Sequence, residues 1–319
     1  MIDLLLLGVS GTIPLPGRPL SAFLARVGPE MILFDCGEGT QVSMRRWGWG
    51  FKSLSAICLS HLHGDHVGGL PGLLLSLGNA GRREPLDIYG PVGTRIVVAG
   101  LRVIAPYLPY EVRVHELGEK HGIPWNGATL ATLPVDHAVP CLAFRLDLAR
   151  GRPFVPQRAR DLGIPVPLWK VLQHGQPVEV DGRTIHPDDV LGPARRGLRV
   201  GYVTDTRPTP EMPAFLAGAD VLVIEGTYGD PADAQNAVDN KHLLFSEAAT
   251  IGRAADVRRL WLTHFSAKMT DPQRHAAEAT RILPSATVGY EGLTTSLHFD
   301  DDVPETESHQ PTAAHVSGD

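Results

Sequence analysis

The stretch SHLHGDHVGG, residues 60–69, crowds His61, His63, Asp65 and His66 into one short run. Neutral imidazoles and carboxylates are the donors that a divalent, zinc-like ion accepts. A pair of such ions also needs a bridging oxygen ligand. His61 and His63 alternate as on the end of an extended strand, so both can face one ion. Asp65 and His66 fall just past the bend that Gly64 permits, where they can face a second. The competing reading is a polar turn satisfied by its own hydrogen bonds, and the rest of the chain decides between the two.

Other segments end in the same way. Asp35 follows MILF, His61 follows AICLS, His137 follows TLPVD, Asp205 follows VGYVT and His264 follows LWLT. Each polar residue stands at the C-terminal end of an apolar, strand-like run, and loops at one edge of a sheet are where α/β proteins assemble sites. Singly, each is an ordinary loop residue. Together with the His61–His66 block they complete two ligand shells.

The elements that would position them are short β-rich runs: IDLLLLG, SAFLARV, MILFDCG, AICLSH, LDIYG, TLATLPVDH, LAFRLDL, RVGYVTD, DVLVIEG, RLWLTHF and ATVGYEG. Between them lie helix-like stretches at Thr40–Trp49, Leu70–Leu77, Thr94–Ile104, Ser246–Ala255 and Asp271–Leu283. The mixture predicts layered α/β packing, with the continuously apolar runs buried on both faces. Residues 151–197 differ, being rich in Pro, Gly and Arg. They read as an insertion, either a long surface loop or a functional arm. The acidic, Pro/Ser/Thr-rich tail at 301–319 is expected to be disordered, with His309 and His315 outside the chemistry.

The chain has 319 residues, a net charge of −6 and three scattered cysteines, Cys36, Cys58 and Cys141. The cysteines form no CxxC pair, which points to a reduced compartment without a disulfide framework. The opening MIDLLLLG lacks a basic flank and reads as a buried strand, and no run approaches membrane-spanning length. The charge does not mark a nucleic-acid binder, although an acidic total can hide a basic patch.

SHLHGDHVGGLPGLL resembles the signature of the metallo-β-lactamase superfamily. LGVSGTIPLPGRPLSAFLAR, LFDCGEGTQ, VTDTRP and LTHFSAK narrow the resemblance to short-form ribonuclease Z, a family of tRNA 3′-processing endonucleases. The similarity runs from residue 2 to about residue 298. It implies a four-layer αββα fold over residues 1–300 with the 151–197 segment as a projecting arm. It implies a cytoplasmic homodimer in which each arm serves the partner's site, and two Zn2+ per subunit, with Mn2+ able to substitute.

By the same resemblance, His61, His63 and His137 hold one ion, and Asp65, His66 and His264 the other. Asp205 bridges them, and Asp35 orients a ligand histidine. Asp65 would handle the attacking water, and His242, paired with Glu225, would protonate the leaving oxygen. Glu225 stands in IEGT where the family often shows HEAT. The arm would grip precursor tRNA through cations such as Arg152, Arg158, Arg160 and Lys170. Val166–Pro167 stands where the family commonly has Gly-Pro at the tip, and Lys268 is placed to meet a phosphate. The alternative within the fold is a hydrolase of small phosphodiesters or related esters. His115, His121, His174, His186, His275 and His298 have no matching role.

Overall fold

The computed structural model describes residues 1–118 and 122–299, so the acidic tail at 301–319 and His121 lie outside the described residues. Two seven-stranded sheets dominate it. The first runs in the order Thr294–Leu297, Ile2–Gly8, Ala22–Val27, Glu30–Phe34, Leu54–Cys58, Leu86–Pro91, Val112–Leu117. The second runs Ala286–Val288, Leu260–Thr263, Val221–Glu225, Arg195–Val203, Cys141–Arg150, Ala128–Val135, Gly122–Trp125. From Glu30–Phe34 to Val112–Leu117 the first sheet is parallel, as is the second from Arg195–Val203 to Ala286–Val288.

All seven residues of Ile2–Gly8 are buried, which explains a continuous apolar run where a half-exposed strand would alternate. Its side chains still point to alternate faces. Ile2, Leu4 and Leu6 join the core shared with the second sheet, while Leu5 and Leu7 join the core under the helices. Those helices are Thr40–Arg46, Leu70–Asn79 and Thr94–Leu101, which bury Met44, Leu70, Leu73, Leu74, Leu77 and Val98. Phe245–Ala254, Met212–Leu216 and Ala276–Thr280 cover the second sheet with Phe245, Ala248, Met212, Leu216 and Ala279. The layering is therefore αββα. Aromatic rings knit the two sheets: Phe23 lies 5.8 Å from Tyr202, and Phe34 lies 5.8 Å from Phe144.

Several boundaries differ from the sequence reading. The helix expected over Thr40–Trp49 stops at Arg46. The one expected over Thr94–Ile104 tightens into a 3-10 turn at Arg102–Ile104. Asp271–Leu283 is broken into a 3-10 turn at Pro272–His275 and a short helix at Ala276–Thr280, because Pro272 starts the turn and no long apolar stripe extends it. Strands Val112–Leu117, Gly122–Trp125 and Thr294–Leu297 were not anticipated. They lie at the sheet edges, where VRVHEL, GIPW and TTSL carry few large apolar side chains.

The 151–197 segment is no structureless loop. It connects Cys141–Arg150 to Arg195–Val203, antiparallel neighbours with Arg150 opposite Arg195. Between them lie helices Pro156–Asp161, Val166–Gln173 and Pro187–Val190 and the hairpin Val178–Val180/Arg183–Ile185. Ala159, Ile164, Leu172, Val178, Ile185 and Val190 form a core separate from the other two. Prolines at the start of all three helices hid them, since proline reads as a breaker yet fits the first helical turn. No helix among the described residues is long and apolar enough to cross a membrane.

Candidate metal centre

Strand order brings the chemistry to one edge. Asp35 follows Glu30–Phe34 and His61 lies just past Leu54–Cys58 on the first sheet. His137, Asp205 and His264 follow Ala128–Val135, Arg195–Val203 and Leu260–Thr263 on the second, and Glu225 ends Val221–Glu225. Asp35, Asp205 and His264 all turn through left-handed backbone, with φ of 56°, 42° and 58°. Asp and His tolerate that region better than most residues, and such conformations persist where surrounding structure holds them, commonly at functional sites.

Seven donors converge. His61 Nε2 lies 3.0 Å from His63 Nδ1, and His137 Nε2 lies 3.4 Å from the same atom. Asp205 Oδ2 is 3.6 Å from His61 Nε2 and 3.8 Å from His137 Nε2. On the other side, His66 Nε2 and His264 Nε2 are 3.1 Å apart, and Asp65 Oδ2 is 3.5 and 3.4 Å from them. Asp205 Oδ1 lies 3.4 and 3.2 Å from those two nitrogens. Tetrahedral coordination at ordinary Zn–N and Zn–O lengths spaces the ligand atoms about 3.3 Å apart. Both groups match that spacing, and each oxygen of Asp205 serves one group. Asp205 Oδ1 is buried without a hydrogen-bond partner, an expensive state for a carboxylate oxygen unless a cation satisfies it.

The far side of the rings supports the same reading. His66 Nδ1 donates to Asp35 Oδ2 at 2.7 Å, so its Nε2 carries a bare lone pair toward the centre. His137 Nδ1 donates to the Lys241 carbonyl at 3.3 Å. Ser60 Oγ lies 3.1 Å from His61 Nδ1, and Thr227 Oγ1 lies 3.0 Å from His264 Nδ1. With those nitrogens protonated, the inward ones face each other as lone pairs about 3 Å apart, an arrangement that a positive ion makes favourable. The residues present therefore fit a divalent metal site. Asp35 is fully buried and fixed in turn by the Ser60 N–H at 2.7 Å, the Ser60 hydroxyl at 2.8 Å and the Tyr202 hydroxyl at 2.8 Å.

Electrostatics without metal are those of a proton trap. Burial works against charging His66, but Asp205 and Asp35 outweigh it and raise its pKa well above the ordinary imidazole value. Burial and the neighbouring histidines instead press His61 well below it. Burial would raise Asp65, yet hydrogen bonds from His264 and His66 hold it below the usual carboxylate range. The Thr12 N–H also donates to Asp65 Oδ2, at 2.6 Å.

Glu225 and His242 form a second unit beside the cluster. His242 Nδ1 lies 3.3 Å from Glu225 Oε1 and 3.2 Å from Oε2. Glu225 is fully buried and accepts from the Thr206 N–H, the Thr227 hydroxyl and the Leu243 N–H. Burial pulls His242 down, but the charge and hydrogen bond of Glu225 overcome this and carry it up to about 9. Arg207 braces the loop by donating to the His242 carbonyl and pairing with Glu247.

All seven expected ligand residues meet, as do Asp35, Glu225 and His242. The arm cations are more dispersed. Arg152 pairs with Asp188 and donates to the Gly192 carbonyl, Arg158 donates to the Leu191 carbonyl, and Arg160 lies over the Trp169 ring. Lys170 lines a cavity of about 600 Å3 with Arg152, Trp169 and Arg195, and Val166 at its edge is exposed. Lys268 is exposed on the loop after His264. Sequence reasoning missed Ser60, Tyr202 and Thr227, which contact His61, Asp35 and His264. Tyr202 in VGYVTD looks like any core aromatic, and Ser60 and Thr227 like loop hydroxyls.

Comparison with known proteins agrees with this geometry. The metallo-beta-lactamase superfamily model matches residues 15–202, and a beta-lactamase superfamily domain model matches residues 162–265. Ribonuclease Z of Lachnoclostridium phytofermentans is 43% identical over 301 residues, covering 94% of this chain and 99% of that protein. Ribonuclease Z of Clostridium acetobutylicum is 40% identical over 307 residues, covering 94% and 99%. Among solved structures, human tRNase Z, short form, matches with a TM-score of 0.68 at 22% identity, covering 92% of this chain and 98% of that one. A diphosphatase from the PhnP family matches at 0.63 and 17%, covering 94% and 99%. Likenesses this distant in sequence show the fold alone.

Proposed function

The chain belongs to the ribonuclease Z family of the metallo-β-lactamase superfamily, and from that premise we propose how its own residues cut precursor tRNA. It is a hydrolytic endoribonuclease of tRNA 3′-end processing. The observation that carries the mechanism is the split of Asp205, with one oxygen toward His61 and His137 and the other toward His66 and His264.

In our reading His61, His63 and His137 would hold one zinc ion, and Asp65, His66 and His264 a second, with Asp205 able to serve both. Manganese accepts the same donor types. When bound, such a pair supplies an activated water near neutral pH and neutralises charge growing on the scissile phosphate. Asp35 holds His66 in the tautomer that presents Nε2 inward. Asp65 Oδ2 accepts from the Thr12 N–H and faces the His66 and His264 nitrogens across the second ligand group, which leaves Oδ1 to orient the attacking water and take its proton. Glu225 keeps the proton on His242, whose Nε2 delivers it to the leaving 3′-oxygen. Because water rather than the RNA's 2′-hydroxyl attacks, the products are a tRNA ending in 3′-OH and a trailer beginning with 5′-phosphate.

We assign substrate choice to the arm within one catalytic domain spanning residues 1–300. Lys170 and Arg160, less tied to arm carbonyls than Arg152 and Arg158, are its leading phosphate contacts. We further propose a cytoplasmic homodimer in which each arm serves the partner's site. The three free, buried cysteines fit a reducing compartment. The test is incubation of zinc-loaded protein with a precursor tRNA lacking CCA, followed by mapping of both product ends. A 3′-OH and a 5′-phosphate are expected, whereas a 2′,3′-cyclic phosphate would reject the scheme.

A further inference from the structure

A cavity of about 370 Å3 opens beside the metal centre. Thr227 is the shared wall: its hydroxyl donates to Glu225 and lies 3.0 Å from His264 Nδ1, and the same residue lines the cavity. Beyond it stand Tyr228, Asn236, Asn240, Asp230, Asp233 and Lys268. Nothing in the mechanism above uses this cavity. Its volume sits toward the lower end of the roughly 300–1,000 Å3 common for small-ligand pockets.

We propose that this cavity is a nucleoside subsite for the nucleotide whose 3′-oxygen leaves, the last one retained on the tRNA; this rests on the nuclease reading. Three features select the ligand. Tyr228 offers a half-buried ring, and unpaired bases stack on such rings with little regard to sequence. Asn236 and Asn240 offer amide groups on the exposed rim, suited to a base edge; each spends one amide hydrogen bond internally, on Asp233 and on the Tyr228 hydroxyl. Asp230 and Asp233 disfavour a phosphate inside the cavity but accept from a 2′-hydroxyl or an exocyclic amine. The Lys268 ammonium has no hydrogen-bond or ion-pair partner among the described residues, which leaves it for the phosphate entering from the same side.

The direction follows from His242. Its ring centroid lies 6.3 Å from that of Tyr228, and in the mechanism proposed above His242 is the group that protonates the leaving oxygen. A base on Tyr228 therefore belongs to the nucleoside bearing that oxygen and not to the trailer.

The test uses full-length, zinc-loaded protein and three precursors: intact, abasic at the last retained nucleotide, and abasic at the first trailer nucleotide. Single-turnover kcat/KM is measured for wild type, Tyr228→Ala, Tyr228→Phe and Asn236→Ala. Wild type should lose about tenfold on the first abasic precursor, and Tyr228→Ala about tenfold on the intact one. The two losses should not add when combined. Tyr228→Phe keeps the ring and should recover most of the loss seen in Tyr228→Ala. Asn236→Ala, on the exposed rim and unthreatening to folding, should lose about threefold with the same failure to add. Additive losses, or coupling to the trailer nucleotide instead, would overturn the subsite while leaving the nuclease reading intact. A wild-type protein that leaves the intact precursor uncut would reject both.

Discussion

Asp205 is 3% exposed and sits where two sheets, each with its own packed face, bring five strand ends together. Lys170 sits on an arm whose core is six buried side chains, joined to the body through two strands. Every ligand histidine but His63 has its outer nitrogen hydrogen-bonded to, or in contact with, a group from the surrounding loops or sheets. The arm cations Arg152, Arg158 and Arg160, by contrast, contact groups of the arm itself. Chemistry that tolerates displacements of only tenths of an ångström is placed where two cores over-determine it. In our proposal, recognition of a large, shape-defined RNA falls to a separately packed module that can vary without disturbing the centre.

The comparison breaks most sharply at the bridging carboxylate. Asp205→Ala removes a ligand from both groups and should lower pre-tRNA cleavage by at least about 10³-fold, measured as kcat/KM with added zinc. Deleting residues 154–190 should abolish pre-tRNA cleavage yet preserve hydrolysis of bis(p-nitrophenyl) phosphate. If pre-tRNA turnover survives, the arm does not select the substrate. His242→Gln should cost about 10²-fold on pre-tRNA. It should cost much less on the nitrophenyl ester, whose leaving group departs without a proton; equal losses would place His242 in binding rather than proton delivery.

Smaller effects sharpen the account. Asp35→Ala frees the back of His66 and should weaken metal affinity about 10–100-fold, read by competition with a chromophoric chelator. In metal-free protein the folded pKa of His242, about 9, exceeds its unfolded value of about 6.5. The raised His242 pKa therefore contributes stability that is complete below about pH 6.5 and is lost as pH rises through about 9. Thermal melts of chelated protein should show this decline, and His242→Gln should diminish it, leaving the share that His66 contributes.

The convergence of the cluster was legible because metal chemistry constrains residue type tightly and its members close apolar runs, as in VGYVTD and LWLTH. The sheets were legible where strands are buried on both faces, as in IDLLLLG. Edge strands such as Val112–Leu117 were not, because alternating exposed residues there resemble loops. Helices of the arm were masked by their leading prolines, and the supporting hydroxyls of Ser60, Tyr202 and Thr227 by their ordinariness. Their roles arise only from three-dimensional placement, as when Tyr202 reaches Asp35 from the opposite sheet.

The central claim is that two cations share Asp205 between two triads. Metal content per chain, measured by mass spectrometry after zinc loading and gel filtration, addresses it directly. The account predicts about two zinc ions per wild-type chain and a fall to about one or fewer in Asp205→Ala. A single ion in wild type, or two retained in the folded variant, would contradict it.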